Sequence, residues 1–391
     1  MRSKLFYVFF AFILTLSLLI ASTPNAAENP SPTNLPKIIG WTSYGTGSGS
    51  YIMSAIFAEA MEDVTGSKVK VTPAGGDVGK LLPIKKGEAH VAFLTGSGSY
   101  WASSGAGPFS AADWGPQRLR IIWKGLDSEN SFTVKGTSRI KTGADIKGKK
   151  IAFIPGNVSV NKINEAYLAF HNLTFDDMIK VAVSGFGASL KAIQNGTIDI
   201  SMGGTVAAGV WTMHKSPGGV RFIPMPADDK AGWKRLQGVC PFMYPRKMAG
   251  GLAAVDPKVA VEAAGYPAMM PMTYADINDN LTYALTKTLH TKYDWYKDRY
   301  AGLDKYTLEN CVKGVLKLAI PMHPGSVKYL KEIGAWTPEH EKWQSERLRI
   351  EEERMKHWQA ALAEAKAKGI PIDINEKRWT DLWASHLALV K

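Results

Sequence analysis

Glycine and hydroxyl residues crowd together at six places in this chain, each just after a stretch that reads as a strand. The first, Gly45-Thr46-Gly47-Ser48-Gly49-Ser50, follows Lys37-Ile38-Ile39-Gly40-Trp41 and precedes a segment in which Ile52, Ile56 and Ala60 recur at helical spacing. Glycine lets backbone approach a ligand closely, and the first amides of a helix have no intrahelical partner, so such a loop can hold an anion. The hydroxyls of Thr42, Ser43, Tyr44, Thr46, Ser48, Ser50 and Tyr51 favour that use; a tight strand-to-helix turn is the plain alternative. As a dinucleotide fingerprint the loop is poor, because Ser50 stands where the third glycine belongs, and no Gly-Lys-Ser/Thr follows to make a phosphate loop.

The other five are Pro73-Ala74-Gly75-Gly76-Asp77, Thr95-Gly96-Ser97-Gly98-Ser99, Gly156-Asn157-Val158-Ser159, Gly185-Phe186-Gly187-Ala188-Ser189 and Gly203-Gly204-Thr205. Ligands of open α/β sheets sit outside the carboxyl ends of the strands. The candidate ligand-binding residues are therefore Tyr44, Thr46, Gly47, Ser50 and Tyr51 in the first loop and Gly75, Gly76 and Asp77 in the second. To these are added Thr95, Ser97, Gly156, Asn157, Ser159, Phe186, Gly187, Ser189 and Thr205. Together they would suit a carboxylate held by neutral donors. Asp77 also reads as a helix N-cap, which is its preferred role. Trp41, Tyr44, Tyr51, Trp101 and Trp123 could stack on a ligand or equally fill an interface.

No catalytic set emerges. Gly96-Ser97-Gly98 lacks the outer spacing of a nucleophile elbow, and the 8 His residues include no H-E-x-x-H and no pair at metal-ligand spacing. His323 reads as a structural turn residue and His90 as a surface one. Neither metal nor cofactor is expected, and no enzymatic activity.

The elements that carry these loops repeat. Strands at 37–41, 69–72 and 91–94 alternate with helices, and the order returns about 110 residues later at 150–154, 181–183 and 198–202. Leu81, Ile84, Gly87, Ala89 and Val91 align with Leu190, Ile193, Gly196, Ile198 and Ile200, although helix-capping chemistry alone would place those glycines. The expected architecture is α/β: lobe 1 from 37–125 and 245–336, lobe 2 from 126–244. Hinge crossings are expected near 123–137 and 236–250, and Gly251 to Val255 reads as a strand of the first lobe. Glu339 to Lys368 is rich in Glu, Lys, Arg and Ala and reads as a long solvated helix in a helical extension over 337–391, with Trp379, Leu382, Trp383 and Leu387 on one stripe of a last helix.

At the amino end, Arg2 and Lys4 precede an apolar run from Leu5 to Ala21 and a small-residue segment to Ala27, the pattern of a cleaved signal peptide over 1–27 rather than a membrane anchor. The expected location is the periplasm. There one disulfide between Cys240 and Cys311 is permitted, and two separate buried thiols are an equal alternative. The 391 residues carry 47 Lys and Arg against 35 Asp and Glu, a charge of +12, of which Arg2 and Lys4 leave with the leader. The remaining basic residues are dispersed, which argues against a nucleic-acid partner and gives mild support to an anionic solute.

Several segments resemble the TAXI-type solute-binding receptors of tripartite ATP-independent periplasmic (TRAP) transporters. The resemblance is carried by Gly45 to Tyr51, Val71 to Gly76, Gly87 to Ala92, Ile146 to Ile151 and above all Ile320-Pro321-Met322-His323-Pro324-Gly325-Ser326-Val327-Lys328-Tyr329. It implies a type II periplasmic-binding-protein fold, two α/β lobes on a two-crossing hinge, that closes over a small organic anion such as an amino acid or dicarboxylate. The partner implied is a TRAP membrane permease, with the receptor a monomer. Asp77 and the Gly156 to Ser159 loop depart from the family pattern, both at the cleft, and 337–391 is longer than the family's usual ending. A ligand sensor for a membrane signalling partner and a secreted hydrolase are the alternatives.

Overall fold

The computed structural model describes residues 35–155 and 157–390, so the leader over 1–27 and Gly156 lie outside the described residues. β1 (Ile38–Tyr44) is the seed of the first sheet, with β2 (Lys68–Ala74) and β3 (Val91–Leu94) parallel to it on either side. The parallel pairings require helical crossovers. α1 (Gly49–Thr65) supplies one, burying Met53, Phe57, Ala60 and Met61 on a single face and ending at Gly66, which takes φ 72°. α2 (Asp77–Lys85) supplies the other, and α3 (Gly96–Ser104) and β4 (Leu119–Ile121) follow.

The chain then leaves this sheet. β5 (Asp127–Lys135) pairs only in the second sheet, ahead of β6 (Lys150–Phe153), α4 (Val158–Phe170), β7 (Ile179–Ala182), α5 (Phe186–Gln194) and β8 (Ser201–Gly204). Next come α6 (Ala208–Lys215), β9 (Val220–Phe222), α7 (Lys230–Val239), β10 (Tyr244–Lys247), α8 (Leu252–Val255) and β11 (Glu262–Pro267). β12 (Met270–Tyr274) returns to the first sheet. It is followed by α9 (Asp279–Thr291), α10 (Tyr293–Tyr296), α11 (Leu308–Val315), α12 (Pro324–Glu332), α13 (Pro338–Ala367) and α14 (Lys377–Leu387).

Strand order in the first sheet is β2-β1-β3-β12-β4, with β12 antiparallel to both neighbours. The second half repeats this plan. β7 pairs β6 in parallel, Ile151 of β6 bridges Ile200 just ahead of β8, and β8 pairs antiparallel with β5. The free edge of β5 takes β11 and β9. In each sheet the antiparallel member is the strand that has just crossed from the other half: β12 in the first, β5 in the second. This interlocked 2-1-3-n order is the type II periplasmic-binding-protein fold, here with a helical C-terminal region. The aligned Leu81, Ile84, Leu190 and Ile193 are all buried, and Gly87 and Gly196 both adopt positive φ, 73° and 80°, at helix ends where a side chain would be strained.

Two expectations change. The second crossing runs through Ala268 and Met269 rather than 236–250, because β11 zips onto β5, and β10 onto β11, before the chain returns. Gly251 to Val255 is not a strand of the first sheet: Gly251 turns at φ 55° into the short helix α8, whose Leu252 and Ala253 pack in a second-half core with Met248 and Ala263. Of the two alternatives left open for Cys240 and Cys311, the structure shows separate thiols, each free and buried in a different hydrophobic core. The long charged helix is present as α13, and α14 docks against it through Trp379 and Trp383, which enclose Trp358. Among the described residues no helix is long and apolar enough to cross a membrane.

Candidate ligand-binding cleft

The strand ends of the two halves face one another across the crossing segments. A small interior cavity of about 80 Å³ lies between them, beneath a wider mouth of about 730 Å³. From the first half Tyr44, Ser48, Ser50 and Thr95 line the interior; from the second come Ser159, Val160, Ile163, Phe186 and Met202. The floor belongs to the crossing strands, with Ser128 and Asn130 of β5 and Tyr266 of β11. Thr46, Gly47, Gly75, Asn157, Gly187 and Lys191 are among the residues around the mouth.

Local chemistry explains the loops. Ser48 N–H donates to Gly45 O (2.8 Å) to close the first turn, and Ser48 Oγ accepts from Tyr51 N (3.2 Å) to cap α1. Thr95 caps α3 by accepting from Gly98 N (3.2 Å), and Asn157 caps α4 by accepting from Val160 N (3.1 Å). Three helix N-termini thus border one cleft and favour negative charge within it.

Asp77 has a different role from the N-cap expected of it. Gly76 occupies the cap position, and the buried Asp77 carboxylate accepts from Tyr44 Oη (2.7 Å), Ser159 Oγ and Lys80 Nζ (3.0 Å). Lys80 is fully buried; its ammonium also donates to Phe93 O (3.0 Å) and stands 2.9 Å from the centre of the Tyr44 ring. Burial pushes the Asp77 carboxyl up, but the Lys80 charge and the hydroxyls of Ser159 and Tyr44 together hold it below its usual range. Burial pulls the Lys80 ammonium down to about 8 against the pull of Asp77, and the Tyr44 phenol is raised by burial and by the Asp77 charge. The bond from Ser159, and that from Asn157 Nδ2 to Gly75 O (2.9 Å), join the two halves directly across the cleft. Gly98 is needed beside this network, because a Cβ there would collide with the Asp77 carboxylate.

Of the expected residues, Tyr44, Ser50, Thr95, Ser159 and Phe186 meet in the interior, and Thr46, Gly47, Gly75, Asn157 and Gly187 at the mouth. Gly156 lies outside the described residues, and the rest are elsewhere. Tyr51 contributes its amide to the α1 cap and lines neither space, and Gly76 accepts from Lys80 N to start α2. Ser97 is buried with its hydroxyl unpartnered, outside the cavity wall. Ser189 donates to Phe186 O (2.7 Å), and Thr205 gives its carbonyl to Trp211 Nε1 (2.9 Å), so both support loops from behind. Trp41 and Trp123 are fully buried core fillers, which decides the even choice against stacking for them. His90 is less exposed than expected, because its Nδ1 accepts from Gly40 N (3.0 Å) and ties β1 to the start of β3. His323 is structural: buried, it caps α12 and meets Thr282 Oγ1 at 2.8 Å, and burial pulls its ring down to about 4.

The reading of the sequence missed Lys80, Ser128, Asn130 and Tyr266. Lys80 was hidden inside a helix whose amphipathic spacing gave no reason for a buried charge. The other three lie on crossing strands, and the polar run Asp127-Ser128-Glu129-Asn130 was the only signal for two of them. The interior lining contains no Lys, Arg or His, and Lys80 is neutralised behind Tyr44. Among the described residues no group of His, Cys, Asp and Glu could hold a metal ion.

A type II periplasmic-binding-protein fold with a cleft between its halves is the class these features define. Within it the chain belongs to the NMT1-like family, whose profile matches residues 44–334. Solved structures similar to it include a protein from Bordetella bronchiseptica RB50, at 17% identity over 78% of this chain and 90% of that one, with a TM-score of 0.44. An ABC transporter periplasmic binding protein from Brucella ovis with glutathione bound is 10% identical over 66% and 70%, with a TM-score of 0.42. The alkanesulfonate-binding protein of Xanthomonas axonopodis pv. citri bound to MOPS is 14% identical over 87% and 96%, with a TM-score of 0.43.

Proposed function

We propose that this chain is an extracytoplasmic solute-binding receptor of the TAXI type. It captures a small organic anion between its lobes and delivers it to a TRAP membrane permease. The carrying observation is the convergence of the capped N-termini of α1, α3 and α4 on one cleft whose two sides are linked through Asp77–Ser159 and Asn157–Gly75. Such a site stabilises a carboxylate with oriented amides and neutral hydroxyls instead of a dedicated cation. Lys191 at the mouth supplies the positive charge that guides an anion inward. The bland alternative, a set of well-capped turns, does not account for loops of both halves lining one cavity.

The reading includes removal of the 1–27 leader, residence in the periplasm and action as a monomer. It also takes the lobes to be hinged at the two crossings, so that a solute with higher affinity for the closed form drives closure. The test is to titrate the mature protein with a panel of amino acids, dicarboxylates and other organic acids, following melting temperature and Trp fluorescence. A true ligand at a hundredfold excess over its Kd adds about 2.7 kcal/mol of stability. If no acid in the panel raises the midpoint at millimolar concentration, the proposal fails.

A further inference from the structure

The crossing strands have two faces, and only one borders the cleft. Along β5 the side chains of Ser128 and Asn130 point into the cleft, so Asp127 and Glu129 must point the other way; on β11 Tyr266 faces the cleft and Pro267 does not. Behind the strands, on that opposite face, is a second cavity of about 670 Å³.

Its walls combine two chemistries. Tyr100 of α3 and Phe242, their rings 5.3 Å apart, form an aromatic side that Tyr244 extends, while Met270, Leu318 and Ile320 supply aliphatic surface. Lys124, Arg246, Lys313 and Lys317 also line the cavity, against a single carboxylate, Asp127. That carboxylate is already engaged by Lys124 (2.9 Å) and Arg246 (3.5 Å), and Lys313 is held by Glu309 (2.6 Å) on the exposed side of α11. Glu129, the other acid beneath Arg246, is saturated by Arg246 Nε and the amides of Ala249 and Gly250. Lys317 is exposed and has no ion pair among the described residues. A concave space of this size with an aromatic wall and uncompensated positive charge matches one ligand class.

We infer that this hinge-side cavity is a second binding site, for a small amphipathic anion with an aromatic body and a carboxylate or sulfonate head. The ring lies against Tyr100, Phe242 and Tyr244, and the head meets Lys317 and the outer edge of Arg246. Tyr100 and Lys317 belong to the first half, Phe242 and Tyr244 to the second, and Asp127 and Pro267 to the segments between. An occupant therefore contacts both halves and senses the angle between them, which couples this site to the cleft. The inference does not rest on the cleft's own ligand.

The test uses 8-anilinonaphthalene-1-sulfonate, an aromatic anion, and its uncharged counterpart N-phenyl-1-naphthylamine, each titrated into the full mature protein by fluorescence. The sulfonate should bind at one site per chain, at least about tenfold more tightly than the amine. Lys317→Glu, at an exposed position that leaves the fold intact, should weaken it about tenfold, while Lys317→Arg should stay within about twofold. Phe242→Ser should weaken both probes, and by more than Phe186→Ala in the cleft does. Equal affinity for the two probes, indifference to Lys317→Glu, or a larger loss on Phe186→Ala than on Phe242→Ser would overturn the inference.

Discussion

Asp77 and Lys80 form the residue pair on which the cleft is built, and their burial fixes what each substitution must do. Removing both charges from water costs several kcal/mol per ion, offset here by their 3.0 Å contact and by Tyr44, Ser159 and Phe93 O. Lys80→Met should therefore leave a lone buried carboxylate and destabilise the protein by about 3–5 kcal/mol in urea unfolding, whereas the double change Asp77→Leu with Lys80→Met should recover most of that loss. The pH signature follows from the directions of the shifts. Asp77 sits below its ordinary 3.8, so its contribution is present above that value and is lost as pH falls through the folded pKa. Lys80 is lowered from 10.5 to about 8, so between those limits the unfolded chain holds a proton the native one has shed. Over that window the stability advantage of the native chain over Lys80→Met should widen with rising pH. His323 and His171, each pulled from 6.5 to about 4 by burial, share a separate acid limb: stability should fall as pH drops from about 6.5 to 4, and His323→Asn should make that limb shallower while keeping the α12 cap.

At the scale of elements, the family match ends at residue 334, and α13 and α14 must hold to the first half by contacts of their own. Two of those contacts are deeply buried. Glu351 of α13 forms a bidentate pair with Arg120 of β4, at 2.6 and 2.9 Å and nearly out of solvent. Trp379 of α14 donates to Ser110 O (2.7 Å) while Trp358 presses on Gly115, where φ is 70° and a Cβ would strike the indole. Trp358→Ala should cost about 3–5 kcal/mol in denaturant unfolding, and Glu351→Ala a similar amount by stranding Arg120, with proteolysis beyond residue 337 accelerated in both. A tail packed only through exposed charge pairs would show neither effect. This tail was legible in sequence because charge density and a Trp stripe at helical spacing are local signals, and so were the strands and helices that repeat between halves. The return crossing was not. Pro241 to Pro245 looks like a linker by composition, but β10 pairs with β11, and β11 with β5 more than a hundred residues earlier in the chain, a non-local choice that no window of sequence contains. The same limit hid Ser128, Asn130 and Tyr266, whose approach to the cleft depends on register between distant strands. Residues in strand-end loops were found more easily, because glycine and hydroxyl clusters advertise a turn wherever it finally lies.

For the whole molecule the decisive question is whether its halves move about the two crossings, and one pair of glycines allows a direct answer. A Cβ at Gly47 would stand 4.0 Å from Gly187 Cα, and one at Gly187 would stand 3.9 Å from Gly47 Cα, across the mouth of the cleft. Neither glycine has positive φ, so a cysteine fits the backbone at both, and the separation is within the reach of a disulfide. The native thiols do not compete, since Cys240 and Cys311 are fully buried in separate cores. The double variant Gly47→Cys with Gly187→Cys should oxidise readily and hold the halves as they stand here, joined through Asp77–Ser159 and Asn157–Gly75. If the free protein opens, small-angle scattering should give a smaller radius of gyration for the oxidised variant than for the same variant in dithiothreitol, and reduction should restore the larger value. Solute exchange should slow at least about tenfold on oxidation, because release then requires opening that the bond forbids. Identical scattering and identical exchange in the two redox states would mean that the cleft fills without hinge motion. The donors of α1, α3 and α4 would then have to act as a fixed cradle reached through the mouth beside Lys191.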